Sequence, residues 1–376
     1  MKTTVKWASA MALGAAAWKI CRDRKYPLAK GCPPMNLFVV PGGALSPGVA
    51  ALGNRVLARM PLPPVMPGLR RSRQTVQVPG GQEVPLTLYE PEGAAGKLPC
   101  LVYFHGGGFC FADAGYIHRN VMDYSRGAGC KVVFVHYRTS ERAAFPLPFE
   151  DCRQALQFVW EHSAQLGIDP DRIAVGGDSA GGALAAACAL WARDQGGPRL
   201  CFQMLIYPVT DARMQTPSMK QFTDCPCWNA RLNRKMWQLY LRSGWGGLRA
   251  YASPMEAEDF GGLPDAYVEV EEFDCLRDEG AAYAEALARA GSSVQLERVT
   301  GTFHGFDVFR NSPPARAQIA ARIRALRRAF AVPGPGKDAA GHASSAETTA
   351  LGGQRALSTT PGTGRSAPCE SRSGNT

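Results

Sequence analysis

This chain is most informative first in what it has little of. No uncharged apolar run reaches the roughly 18–20 residues of a membrane-spanning helix, which excludes a polytopic membrane protein. No segment repeats at a fixed period, which excludes solenoids and propellers. Twelve cysteines among 376 residues are too sparse for a disulfide scaffold. Several (Cys100, Cys130, Cys188, Cys201) sit in or beside apolar runs, where a free thiol acts as a small hydrophobe and a reducing compartment fits. Cys225 and Cys227 lack a second Cys/His pair at ligand spacing, so no metal is expected. Disorder over the full length is excluded by a composition of 45% hydrophobic and 20% charged residues, close to the ordinary globular mix.

Acidic residues are missing from one end. Residues 1–75 hold 12 Lys/Arg and a single acid, Asp23, whereas residues 76–376 hold 30 basic and 31 acidic residues. The net charge of +10 is therefore an N-terminal property and no sign of nucleic-acid binding. Lys2 and Lys6 precede an uncharged, Ala/Gly-rich run from Trp7 to Trp18, closed by Lys19. A short amphipathic or capping helix is the expectation there, with a signal segment or surface anchor as alternatives.

From Pro333 to Thr376 the chain turns to Gly, Ala, Ser, Thr and Pro, the composition of a disordered tail. Between about 72 and 332, short β-rich runs alternate with longer amphipathic ones, the pattern of an α/β sheet. Predicted strands are Thr75–Val78, Val84–Tyr89, Leu101–Phe104, Val132–His136, Ile173–Val175, Gln203–Tyr207, Ala266–Val270 and Val294–Val299, the first two joined by a turn beginning Pro79-Gly80-Gly81. Predicted helices are Phe149–Ser163, Ala180–Arg193, Ala281–Arg289 and Ala315–Phe330, the first closed by Gly167 and Pro170. Residues 210–262 interrupt the rhythm with Trp228, Met236, Trp237, Tyr240 and Trp245; a lid over a site and ordinary packing both fit.

Three chemistry-bearing elements follow in order. Gly177-Asp178-Ser179-Ala180-Gly181 is a G-x-S-x-G between a predicted strand and a predicted helix, the place where a nucleophilic serine stands on a sharp turn. The helix N-terminus lends positive potential to a developing oxyanion. The alternative is a serine that merely caps a helix. Earlier, strand Leu101–Phe104 runs into His105-Gly106-Gly107-Gly108-Phe109, a bare backbone able to present N–H donors. No Lys-Ser/Thr follows it, which excludes a P-loop. His105 here fixes the loop and is not the base. Only His304 and His342 lie beyond Ser179; His342 is in the tail, so His304 is the candidate base. The acid is expected after Ala266–Val270, where Asp274 is the first choice and Asp278 the second.

Together His105-Gly-Gly-Gly-Phe109, Gly177-Asp-Ser-Ala-Gly-Gly182, Asp274-Cys-Leu-Arg-Asp-Glu-Gly280 and His304-Gly-Phe306 resemble the hormone-sensitive-lipase branch of the α/β-hydrolase fold, which includes bacterial acetyl and short-chain carboxylesterases. The likeness spans about 72–332. It implies a mostly parallel central sheet with helices on both faces and a helical cap, built from residues 1–71 and the 210–262 insertion. It also implies oxyanion donors on the backbone of Gly107, Gly108 and Ala180, with Gly106 as a further contributor. Three departures stand out: His136-Tyr-Arg-Thr-Ser-Glu-Arg142 replaces the usual Asp-Tyr-Arg-Leu-Ala-Pro-Glu, Cys275 replaces Pro, and Ala183 replaces Asn.

The expected function is a cofactor-free serine carboxylesterase: Ser179 attacks, His304 takes its proton, Asp274 orients the ring, and water resolves the acyl-enzyme. Activity should fall at low pH as the base takes up a proton. Bulky Phe109, Trp228 and Trp237 suggest a confined pocket for short acyl chains. An amidase or deacetylase with the same triad and a non-catalytic binding member of the fold are the alternatives. The expected partner is a small ester in the cytoplasm, with no nucleic acid. Export, or weak membrane-surface contact through the basic N-terminus, is the other reading.

Overall fold

A computed structural model describes residues 2–78 and 81–331. The expected tail at 333–376, and Pro79 and Gly80 of the expected turn, lie outside the described residues.

Helix α1 (Lys2–Lys25) opens the chain as 24 continuous residues, in place of the short helix expected. Helix α2 (Pro47–Leu57) starts where Ser46 accepts from the Val49 N–H and Pro47 fills the first turn. Strands β1 (Leu69–Val78), β2 (Gln82–Pro91) and β3 (Leu98–Phe104) follow. Then come α3 (Gly115–Ala128), β4 (Lys131–Val135), α4 (Leu147–Glu161), β5 (Ile168–Asp178), α5 (Ala180–Asp194) and β6 (Phe202–Ile206). Helices α6 (Pro217–Gln221), α7 (Ala230–Tyr240) and α8 (Arg249–Ala252) occupy the interruption. The chain closes with β7 (Ala266–Phe273), α9 (Arg277–Arg289), β8 (Val294–Phe303) and α10 (Pro313–Ala331).

The strands form one eight-stranded sheet in the order β1-β2-β4-β3-β5-β6-β7-β8. β1 and β2 pair antiparallel, β2 pairs antiparallel with β4, and the strands from β4 to β8 are parallel. β6 is buried at every residue, as expected of a largely apolar strand covered on both faces, and its one polar side chain, Gln203, donates to the Pro264 oxygen at 3.0 Å. β7 shows how the faces are divided. Glu269 points to Arg322 of α10, while Val270 lies against Gly280 of α9. Pro170, expected as a breaker, lies inside β5, where pairing with β3 is irregular between Ile168 and Ile173. A proline there interrupts no regular ladder.

Parallel strands put their carboxyl ends at one edge of the sheet, and ligands in open α/β sheets bind at that edge. Ser179 follows β5 there, Asp274 follows β7 and His304 follows β8. The polar core of the α10 face is a buried cluster. Arg322, inaccessible to solvent, pairs with Glu269 and, at 2.6 Å, with Asp307. The N-terminal segment is tied to the residues between β6 and β7 through Asp224. Its carboxylate accepts from Arg22 Nη1 at 2.8 Å, Lys25 Nζ at 2.7 Å and Tyr26 Oη at 2.5 Å.

Candidate active site

Ser179 sits between β5 and α5 with φ 56° and ψ −119°, a backbone conformation that L-residues avoid and that turns its side chain off the line of the strand. The turn closes so tightly that only glycine fits beside it. A Cβ on Gly177 would lie 2.3 Å from the Gly181 carbonyl, and one on Gly181 would lie 2.0 Å from the Phe104 oxygen.

His304 Nε2 is 2.9 Å from Ser179 Oγ and His304 Nδ1 is 2.7 Å from Asp274 Oδ2. Asp274 is fully buried and its other oxygen accepts from the Leu276 N–H at 2.9 Å. A hydroxyl, an imidazole and a carboxylate in this sequence of contacts can pass the hydroxyl proton to the ring while the carboxylate holds the tautomer. Asp278 is turned elsewhere, accepting from the Ser218 N–H at 2.7 Å and from Arg277 Nε at 2.8 Å.

The glycine loop after β3 stands opposite. His105 Nδ1 lies 2.7 Å from the Gly106 oxygen, and its ring stacks on Tyr137 at 4.2 Å. Burial depresses His105 to about 4, so it is neutral and serves the loop, as its position before the glycines suggests. The Gly106 N–H donates to Asp178 Oδ1 at 3.1 Å. That bond corrects the expectation of Gly106 as an oxyanion donor, because the N–H is already spent. The N–H groups of Gly107, Gly108 and Ala180 carry no such bond among the described residues, and Ala180 opens α5, where helix N–H groups are unpaired by geometry.

Asp178, written as the variable position of the serine motif, is the residue that sequence reasoning missed. It also accepts from the Tyr103 hydroxyl at 2.9 Å, and burial pushes its carboxyl up to about 6, with the Asp307 charge adding to the effect. Asn54 of α2 was missed too. Its amide donates to the Cys110 oxygen at 2.9 Å and accepts from the Ala112 N–H at 2.8 Å, gripping the chain that follows the glycines. No sequence signal marks Asn54, whose partners lie 56 and 58 residues away.

Of the three bulky residues, Trp228 comes to the site. Its ring centroid is 6.1 Å from His304, and a Cβ on Gly108 would meet it at 2.6 Å. Phe109 and Trp237 instead join a buried aromatic cluster, Phe109 stacking on Tyr240 at 3.8 Å and lying 6.0 Å from Trp237. The departure at His136 has a structural counterpart. Asp113 bridges His136 Nδ1 at 3.0 Å and His118 Nε2 at 2.6 Å, and His118 Nδ1 lies 2.8 Å from the Tyr89 hydroxyl. Among the described residues no group of three or more His, Cys, Asp or Glu is disposed to hold a metal ion.

A groove of about 760 Å³ is lined by Met60, Tyr116, Arg119 and Val308, the last of these four residues beyond His304. A second cavity of about 720 Å³ opens beside Phe202 and Ala266, at the amino ends of β6 and β7 and thus at the opposite edge of the sheet from Ser179.

A family model described as the alpha/beta hydrolase fold matches residues 101–308, a span that holds Ser179, Asp274 and His304. The carboxylesterase NlhH of Mycobacterium tuberculosis is 38% identical over 277 residues, covering 71% of this chain and 85% of that protein. The esterase LipI of the same species is 35% identical over 290 residues, covering 76% and 89%. This chain is an ester hydrolase of the α/β-hydrolase fold family. Solved structures agree on the hydrolase architecture. A bacterial heroin esterase superposes with a TM-score of 0.70 at 36% identity, covering 78% of this hydrolase and 94% of that chain. A thermostable esterase from Pseudomonas putida superposes with a TM-score of 0.71 at 32% identity, covering 80% and 98%. No helix of the described residues is long and apolar enough to cross a membrane.

Proposed function

We propose that this hydrolase cleaves short-chain carboxylic esters through an acyl-enzyme on Ser179. The observation that carries the reading is His304, whose two ring nitrogens face Ser179 Oγ at 2.9 Å and Asp274 Oδ2 at 2.7 Å. His304 takes the serine proton as Oγ attacks the ester carbonyl, then returns it to the departing alcohol. Asp274 orients the ring and stabilises the imidazolium. The N–H groups of Gly107, Gly108 and Ala180 receive the oxyanion of each tetrahedral intermediate, and water repeats the cycle on the acyl-enzyme.

Residues 1–71 and 210–262 act together as a cap, a reading supported by the Arg22, Lys25 and Tyr26 contacts to Asp224. Trp228, packed against Gly108 and facing His304, limits the space for the acyl chain. The site of action is the cytoplasm, consistent with eleven described cysteines that are all free thiols.

The test is hydrolysis of p-nitrophenyl acetate through decanoate by the wild type and by Ser179→Ala. Turnover is expected to fall with chain length and to drop by several orders of magnitude in the variant. A folded Ser179→Ala protein that keeps a tenth of the activity, or a profile that peaks at decanoate, overturns the proposal.

A further inference from the structure

Helix α2 is docked by one face and leaves the other unpartnered. Ala50 and Asn54 are buried on the inner face. On the outer face Val49, Leu52 and Val56 are 46%, 61% and 52% exposed, and Met60, just past the helix end, is 60% exposed. Their spacing of three, four and four residues puts them in one stripe along the helix. Such a run of aliphatics facing water contributes nothing to the core, and scattered exposed apolar residues do not line up in this way.

The charge around the stripe has one sign. Arg55 and Arg59 flank it, both exposed and neither in an ion pair among the described residues. From Arg24 to Gln82 the sequence has eight lysines and arginines and no acid. An aliphatic stripe flanked by arginines matches the boundary of an anionic bilayer, where side chains enter the acyl region and guanidinium groups meet phosphates. The same charges argue against a second copy of this chain, since pairing two such faces would bring four arginines together without a counter-charge.

We propose that the outer face of α2 is a docking surface for anionic lipid bilayers. The helix is joined to a groove and to the loop that follows the glycines. Met60 also lines the groove of about 760 Å³ that includes Tyr116 and Val308, and Asn54 on the inner face holds Cys110 and Ala112, just after the glycine loop. Docking through α2 therefore sets that groove beside the membrane.

The experiment is flotation of the full chain with vesicles of phosphatidylcholine containing about a third phosphatidylglycerol, and with pure phosphatidylcholine. Three proteins are compared: the wild type, Leu52→Glu/Val56→Glu and Arg55→Ser/Arg59→Ser. All substituted residues are exposed, so p-nitrophenyl acetate turnover and Tm are expected to stay at wild-type values, which certifies the fold. The wild type should float with the anionic vesicles, and each variant should bind them at least tenfold more weakly. Wild-type protein that does not float, floats equally with neutral vesicles, or floats no better than the Leu52→Glu/Val56→Glu variant overturns the assignment. So does a wild-type dimer in light scattering that this variant splits, which would mean that a second copy covers the stripe.

Discussion

Replacing Asp178 by asparagine should make the protein more stable, and only above a defined pH. The carboxyl is buried at the serine turn, accepts from Tyr103 and from the Gly106 N–H, and is pushed up to about 6 from 3.8 by burial and by the Asp307 charge. Between those two values the folded chain keeps a proton that the unfolded chain has released. Stability contributed by this group therefore falls as pH rises through the window, and above it the folded state carries a buried charge at a cost of about 3 kcal/mol, taking about 1.4 kcal/mol per pH unit. Asparagine keeps an acceptor for both hydrogen bonds and cannot ionise. Urea unfolding of the wild type and Asp178→Asn should give similar stabilities near pH 4 and a gap of about 3 kcal/mol in favour of the variant at pH 7.5. A gap that does not change with pH would refute the argument. Turnover of p-nitrophenyl acetate should stay within tenfold of wild type, because the Gly106 tether survives.

Other outcomes follow from the same geometry. The His105 ring, depressed to about 4 by burial, should titrate in NMR well below an exposed histidine, and a midpoint above 6 would contradict its desolvation. Its linkage has the opposite sign to that of Asp178: the unfolded chain takes the proton first, so stability from this group is lost as pH falls from 6.5 toward 4. Arg322→Met leaves Glu269 and Asp307 buried without their cation and should cost about 3–5 kcal/mol in urea unfolding; a loss under 1 kcal/mol would show that the cluster is hydrated. Gly181→Ala drives a methyl to 2.0 Å from the Phe104 oxygen and should abolish activity or folding, whereas wild-type Tm and turnover would mean that the turn relaxes at little cost.

The parts of the molecule most legible in the sequence are those whose signal is local. Gly177 flags the serine turn because the clash it avoids is with Gly181, four residues on, although Gly181 itself is kept small by Phe104 of the neighbouring strand, and β6 reads as buried because four of its five residues are apolar. Helix α3 was hidden for the opposite reason. Its inner face carries His118, Asn120 and Ser125, which break the apolar spacing, and each finds its partner far along the chain or after the helix ends. Asp274 and Asp278 share one turn, and only the contact of His304 separates them. Phe109 and Trp237 read as pocket residues because bulk is visible in a sequence; the stack on Tyr240 that takes them into the core is not. Asn54 depends wholly on which loop the folded chain brings beneath α2.

The Asp224 contacts carry a practical consequence for anyone trimming or tagging the protein. Arg22 is almost wholly buried, and it reaches the Asn36 oxygen as well as the Asp224 side chain and backbone. Four residues after Asp224 stands Trp228, the ring beside His304. A cut upstream of Lys19 leaves that chain of contacts whole, whereas a cut just after Tyr26 strips three donors from one carboxylate and loosens the segment that carries Trp228. The amino-terminal helix is in this sense a strut of the active site, and its shortening should be felt in substrate selection before it is felt in the fold.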